Sequence, residues 1–355
     1  MFFRYVAYHY IKNILIILMG LTGLFTGLDY LMNASSLSSF NIKVLYAFSK
    51  WQESLNLLYP LAIIFAGIWT KIAFIKQNSV ASFYALGLTR REFFKPFFVV
   101  GVVIYLIFLG LNFTSFATAT DKARMVKKNQ YNMSKTEDLF FKYNNKYNNN
   151  FVYIGTLIPS EYKIENLTIF RMKNREVTET LTAKEAWFGI DKWVAFNVIK
   201  KTKVKDSLGK YHLQIEKIDL LHTLRNYKPK ILKSIYDGKE LTLNESIMAK
   251  KLLEQQGLST EALRADMYTK VVTPLFSVAL LMILIFRFPF HSRYMNVSMT
   301  TMKALGGTLF TWGILFALQG IGANGTVSPE LAIVLPIILL WIYAIFTLIL
   351  SGKRI

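Results

Sequence analysis

The chain has 355 residues, of which 53% are hydrophobic, 15% aromatic and 18% charged, and it contains no cysteine. An ordinary soluble domain carries about 25% charged residues, so this composition excludes a disordered basic tail. It also argues against a soluble nucleic-acid binder, despite a net charge of +20. Without cysteine there are no disulfides, thiolate-held zinc, iron–sulfur clusters or thiol nucleophiles.

A membrane-spanning helix needs about 20 mostly apolar residues. The first such run covers residues 11–32, with Lys12 at one end and Asp29 near the other. It exceeds the apolar core of a secretory leader and no small-residue cleavage pattern follows, so an uncleaved helix is expected. The second run covers residues 55–75. Residues 77–95, QNSVASFYALGLTRREFFK, then form a polar loop. Within it, residues 79–86 predict a short helix with Val80, Phe83, Tyr84 and Leu86 as its apolar residues, Gly87 as its stop, and Arg90 and Arg91 beyond. By pattern alone such a helix either lies on the bilayer or inserts into a groove on a soluble partner. A third apolar run covers residues 96–116.

The next apolar run begins only at residue 270. The intervening insert, residues 121–266, reads mostly as strand. Residues 151–154, 167–172 and 193–200 are rich in β-branched and aromatic side chains, and Asn-rich, Pro and Gly punctuation separates them. This spacing predicts a sandwich or jelly roll. Thr242 and Glu245 predict a capping box opening a helix over 242–257 that leads back to the membrane. Three more apolar runs follow, at 270–290, 301–321 and 331–350. Lys270 stands at the mouth of the first of these, where a snorkelling lysine is the plain reading, and Pro274 lies one turn inside. The expected fold is an α-helical membrane protein with six transmembrane helices and an inserted all-β domain, divided as 1–120, 121–266 and 267–355.

Lys and Arg in short loops set orientation. With the N-terminus in the cytoplasm, the inner loops hold Arg4, Lys12, Lys71, Lys76, Arg90, Arg91, Lys95, Arg287, Arg293, Lys303, Lys353 and Arg354, with Glu92 the one acid. The outer short loops hold Lys43 and Lys50 against Glu53 and Glu330. The insert then lies outside the cytoplasm. It carries 27 Lys+Arg and 18 Asp+Glu, a net +9, and the remainder of the chain carries +11. Over half of the excess is therefore ordinary membrane topology.

Catalytic patterns are missing. Gly209-Lys210, Gly238-Lys239 and Gly352-Lys353 lack the rest of a phosphate-binding loop, so ATP hydrolysis by this chain is not expected. The histidines at 9, 212, 222 and 291 show no paired metal spacing, and no GxSxG nucleophile motif occurs. Carboxylates are rare in the apolar runs, which argues against a proton relay. Asp29 is the one acid inside a run, at a position suited equally to a headgroup-level site and to a functional partner.

With these parts in this order, the chain resembles the lipopolysaccharide export permease family, LptF/LptG, over essentially its whole length. Four local patterns carry the resemblance. Tyr59-Pro60-Leu61-Ala62 is similar to the family's opening of the second span, and Ala85-Leu86-Gly87-Leu88-Thr89 to the end of its coupling helix. Lys270-Val271-Val272-Thr273-Pro274 is similar to its start of span four. Residues 320–336, with Pro329 and Pro336, resemble its final signature. One departure stands out. Where the family's coupling helix usually has an acidic residue near its start, this chain has Ser79, and the nearest acid is Glu92. The short first outer loop and the Lys270 motif lean toward the G paralogue.

The resemblance implies a permease subunit that extracts lipopolysaccharide from the inner membrane and passes it along a periplasmic jelly roll, with no catalysis and no cofactor of its own. It implies a paralogous permease partner (LptF if this is LptG) and a cytoplasmic ATPase dimer (LptB) that uses the ATP. It also implies a single-span jelly-roll protein (LptC) and a periplasmic bridge (LptA). Under it, Lys43, Lys122, Arg124, Lys127, Lys128 and Lys270 are candidates for lipid phosphates. Phe83, Tyr84, Leu86 and Gly87, with Arg90 and Arg91 at the rim, are candidates for ATPase coupling, and Phe151, Tyr153, Leu167 and Ile169 for the lipid path. The competing readings are a mechanotransmission permease of another class, such as a lipoprotein-sorting transporter, and a membrane-bound lipid- or glycan-modifying enzyme. The first usually places its large domain after span one, and the second needs convergent acids or histidines.

Overall fold

The structure is a computed structural model that describes residues 1–127, 136–145, 148–173, 176–205, 211–225, 227–229, 231–232, 240–255, 259–288 and 296–351. Lys128, Arg293, Lys353 and Arg354 lie outside the described residues. In chain order the helices are α1 (Phe2–Asn33), α2 (Phe40–Lys76), α3 (Ser79–Ala85), α4 (Arg90–Leu111) and α5 (Ala119–Lys127), then α6 (Leu243–Gln255), α7 (Glu261–Val271), α8 (Leu275–Arg287), α9 (Val297–Ala323) and α10 (Leu335–Ser351). Strands β1 (Thr136–Asn145), β2 (Asn148–Ile158), β3 (Lys163–Lys173), β4 (Glu176–Phe188), β5 (Trp193–Lys205) and β6 (Tyr211–Thr223) fall between α5 and α6. Contacts divide the chain into two compact units, Met1–Ala123 with Glu261–Ile355, and Arg124–Thr260.

The helical unit has five helices long and apolar enough to cross a membrane among the described residues. They begin at Phe2, Phe40, Arg90, Val297 and Glu330, the last entered through a wide π turn at Glu330–Val334. A sixth span is formed if α7 and α8 count as one helix, bent by 43° at a short break. The central element is α2. Its residues 58–64 are buried throughout, and it packs on α1, α4 and α8. At Gly67 a side chain would collide with Leu281 of α8, so glycine is what lets the two helices approach. Such close packing matters because apolar contact with lipid is as favourable as apolar contact between helices. Conversely α1, α9 and α10 leave rows of large apolar side chains exposed, among them Leu15, Met19, Leu28, Phe310, Ile338 and Ile342, as lipid or a partner subunit requires.

Several polar groups inside this unit pair with one another. Asn56 and Asn112 exchange amide hydrogen bonds at 3.2 Å, Asn13 donates to Thr70 at 2.8 Å, and the Tyr10 hydroxyl donates to the Ile63 carbonyl at 2.9 Å. Unpaired, each would cost several kcal/mol in hydrocarbon.

The second unit holds one six-stranded antiparallel sheet whose strands lie in chain order. Every strand pairs with its chain neighbours, so the topology among the described residues is a meander without crossovers. Gly155 faces Asn166, whose backbone has φ 57°, and a Cβ on the glycine would come within 2.9 Å of the Asn166 Cβ. The sheet's buried face carries Leu139, Phe141, Val152, Ile154, Leu167, Ile169, Leu181 and Ala183. Trp193 is fully buried and donates through Nε1 to the Tyr227 carbonyl at 2.7 Å. Helix α6 starts at a capping box: Glu245 accepts from the Thr242 amide at 3.0 Å, and the Thr242 hydroxyl accepts from the Glu245 amide at 3.3 Å. It buries Leu243, Ser246, Ala249, Leu252 and Leu253, one face at helical spacing.

Candidate functional site

Three regions contain the residues singled out by sequence. The first is the link between α2 and α4. Helix α3 begins after Asn78, whose φ is 57°, and ends in a Schellman motif. In it the Gly87 amide donates to the Tyr84 carbonyl at 3.0 Å and the Leu88 amide to the Phe83 carbonyl at 3.2 Å. Nothing crowds a Cβ at Gly87, so its φ of 85° is what calls for glycine there. The next helix starts at once. The Thr89 hydroxyl accepts from the Glu92 amide at 3.2 Å, and the Glu92 carboxylate accepts from the Thr89 amide and hydroxyl at 2.8 and 3.0 Å.

Aromatic packing ties α3 to the ends of three long helices. Phe83 meets Phe2 edge-on with ring centroids 4.8 Å apart, and lies 6.3 Å from both Phe74 and Phe93. Tyr84 lies 6.2 Å from Phe93, and Val80 is fully buried. Burial pushes the Tyr84 hydroxyl up to about 12, with Arg90 acting the other way. Phe83 and Tyr84, both half-buried, thus pack on the chain's own core. Leu86, two residues past Tyr84, turns away and is 79% exposed. Gly87 and Arg91 are exposed beside it, and Arg90 is half-buried.

The second set comprises the cations that lie, in sequence, near the opposite ends of the apolar runs. Lys43 is half-buried in the first turn of α2. Lys270 is buried and its ammonium lies 2.7 Å from Asp266. Lys122 donates to the Ser115 carbonyl at 3.0 Å. Arg124 and Lys127 are exposed on α5, within the residues of the β unit. Asp29 is engaged: the Tyr46 hydroxyl donates to it at 2.5 Å, and Lys50 bridges it to Glu53, at 3.5 and 3.0 Å. Arg264 pairs with Glu330 at 2.6 Å, and the Tyr268 hydroxyl donates to the same carboxylate oxygen at 2.9 Å.

The third region is the sheet. Leu167 and Ile169 are buried, opposite Ile154 and Val152 across β2 and β3. Phe151 and Tyr153 lie on the other face, because side chains alternate along a strand and Val152 and Ile154 take the buried positions. Phe151 stacks on Phe140 at 5.6 Å, and the Tyr153 hydroxyl donates to Asp138 at 2.6 Å. The four lipid-path candidates are therefore split between two faces. Part of the domain's positive charge is paired. Lys163 bridges Glu165 and Glu185, both at 2.9 Å, and Lys200 bridges Glu179 and Glu216, at 3.5 and 3.2 Å. Hydrogen bonding between Lys163 and Glu185 raises the lysine and lowers the carboxyl from their ordinary values.

Compared with known families, residues 4–350 match the lipopolysaccharide export system permease LptF/LptG. The chain belongs to this family. No curated protein matches it. As an LptF/LptG permease it is a subunit of an Lpt-type ABC transport system for lipopolysaccharide, a multi-pass inner-membrane protein with an inserted periplasmic β domain. Its place in the system is that of a transporter subunit. Among the described residues no three His, Asp or Glu side chains gather as metal ligands would.

Sequence reasoning missed the setting of Lys71. It entered only as one of many inner cations, yet it is 1% exposed, its ammonium 4.2 Å from the centre of the Phe93 ring and 5.9 Å from that of Tyr84. The bond from Arg264 to Glu330 was equally hidden, because 66 residues separate its ends. No local pattern reports such pairs.

Proposed function

We propose that this LptF/LptG permease is the motion-transmitting half of its transporter, with both termini cytoplasmic and the 77–95 loop seated on the ATPase dimer (LptB). The observation that supports this most directly is the aromatic knot of Phe83, Phe2, Phe74 and Phe93. A force on α3 passes through close-packed rings, which deform little, into α1, α2 and α4 together. Leu86 and Gly87 are then the tip that meets the ATPase, Arg90 and Arg91 its rim, and Phe83 and Tyr84 the anchor behind it.

The paralogous permease covers part of the exposed apolar rows, and the single-span jelly-roll protein (LptC) and the periplasmic bridge (LptA) continue the path from the β domain. The short link from α1 to α2 and the Lys270 motif favour the G paralogue. Lipopolysaccharide phosphates meet cations at the outer span ends by charge-assisted hydrogen bonds. Lys43, Lys122, Arg124, Lys127 and Lys128 are the candidates there, and Lys270 joins them by exchanging Asp266 for the lipid. Acyl chains follow the apolar face that holds Leu167 and Ile169.

The test is Leu86→Asp. The variant inserts with its partner permease, but the ATPase no longer copurifies and lipid extraction from proteoliposomes is lost. Normal ATPase retention and extraction in that variant would refute the docking role.

A further inference from the structure

We propose that the surface received by the 77–95 loop is acidic: the ATPase subunit presents carboxylates around an apolar notch that takes Leu86. The inference rests on the docking role given to α3 above and adds the charge of the partner. Two observations carry it. First, α3 turns its apolar side chains inward, with Val80 fully buried and Phe83 and Tyr84 packed on the chain's own rings. Ser82, Ala85, Leu86 and Gly87 face outward. A helix lying on a bilayer needs an apolar face toward the lipid, and here that face is used internally. A single exposed leucine suits a notch on a folded protein.

Second, the exposed charge of the loop and its flanks is mostly positive. Lys76, Arg91 and Lys95 are exposed. The one acid of the loop, Glu92, is held by the Thr89 amide and hydroxyl in the cap of α4. The loop therefore offers cations outward, and a complementary partner offers anions. The inner-loop preference for Lys and Arg explains why cations are numerous here. It does not require that the acid be tied into a cap while Arg91, five residues past the exposed Leu86, stays exposed.

The test uses the full transporter complex purified in detergent, with retention of the ATPase subunit as readout. Arg91→Glu with Lys95→Glu is compared with Leu86→Asp and with Lys303→Glu, an exposed cation at the start of α9. The expected result is about tenfold weaker ATPase retention in the double reversal, retention by the native complex that falls as salt rises, and no change with Lys303→Glu. Full, salt-insensitive retention in the double reversal, with loss in Leu86→Asp, overturns the acidic partner and leaves the docking role standing. Retention in Leu86→Asp overturns the docking role itself. Equal loss in Lys303→Glu marks a general effect of inner charge and overturns the proposal. So does a double reversal that keeps the ATPase but no longer distinguishes phosphatidylglycerol-containing vesicles from neutral ones, since the cations would then face lipid.

Discussion

Lys71 shows how one buried side chain can be judged by magnitudes. Taking an ammonium out of water costs several kcal/mol even after relaxation, whereas a desolvated cation over an aromatic face recovers about 2 kcal/mol. Lys71 has its ring contacts at 4.2 and 5.9 Å, so the burial cost exceeds what the rings return. Lys71→Met, which keeps the chain length and drops the charge, is expected to raise the stability of the purified complex by about 1 kcal/mol or more. Lys71→Ala is expected to lower it by roughly 2–5 kcal/mol through the cavity it leaves. Thermal unfolding in detergent separates the two, and a lower midpoint for Lys71→Met would show that the ammonium contributes more than its ring contacts. At this scale little of the site was legible in sequence. Val80, Phe83, Tyr84 and Leu86 form one apolar set by composition, and only the packing of Phe2, Phe74 and Phe93 decides that the first three turn inward.

The break between α7 and α8 is the element whose geometry departs most from a plain span. In a continuous helix the Leu275 amide would bond the Val271 carbonyl; here it donates to Val272 at 3.1 Å. The freed Val271 carbonyl accepts from the Tyr105 hydroxyl of α4 at 2.9 Å, and Gln319 of α9 donates to the Thr273 hydroxyl at 3.0 Å. The Tyr105 side chain thus satisfies a backbone carbonyl left open at the break, as a membrane interior demands, while Gln319 holds the Thr273 side chain beside it. Tyr105→Phe keeps the ring and removes the donor, leaving a buried carbonyl unpaired at a cost of about 1–3 kcal/mol. Denaturant titration of the detergent-solubilised protein should show that loss, and an unchanged midpoint would mean that water reaches the carbonyl. Pro274 marked the place in sequence, but the bend depends on partners far along the chain. Elements were legible where apolar content is continuous or β-branched residues cluster: the runs at 55–75 and 167–172 sit inside α2 and β3. Helix α2 extends back to Phe40 through Lys50 and Glu53, which are polar and leave no hydropathy signal. Strands β4 and β6 alternate charged and apolar residues, with both faces of β6 largely exposed, so the pairing of their neighbours defines them better than their own composition does.

Over the whole molecule the net +20 separates into parts with different causes. The inner loops follow the bias that orients membrane proteins, and within the β domain Lys163, Arg171, Lys200 and Lys203 are joined to carboxylates across the sheet. These pairs are neutral and leave the insert's net +9 in place, and the cations at the span ends are one part of what an anionic lipid can meet. This partition holds only if the chain is oriented with α3 in the cytoplasm, and the absence of cysteine makes that directly measurable. Leu86 is 79% exposed beside α3, and Ile190, at the turn between β4 and β5, is 100% exposed. Neither side chain supports a core, so a single cysteine at either position leaves the fold intact. Ile190→Cys is expected to react with a membrane-impermeant maleimide in cells whose outer membrane alone has been opened. Leu86→Cys is expected to react only after the inner membrane is opened as well, and less when the ATPase is bound. The reverse order of labelling would invert the topology, move the cations of the 77–95 loop to the lipid-export side and remove the basis for an ATPase contact there.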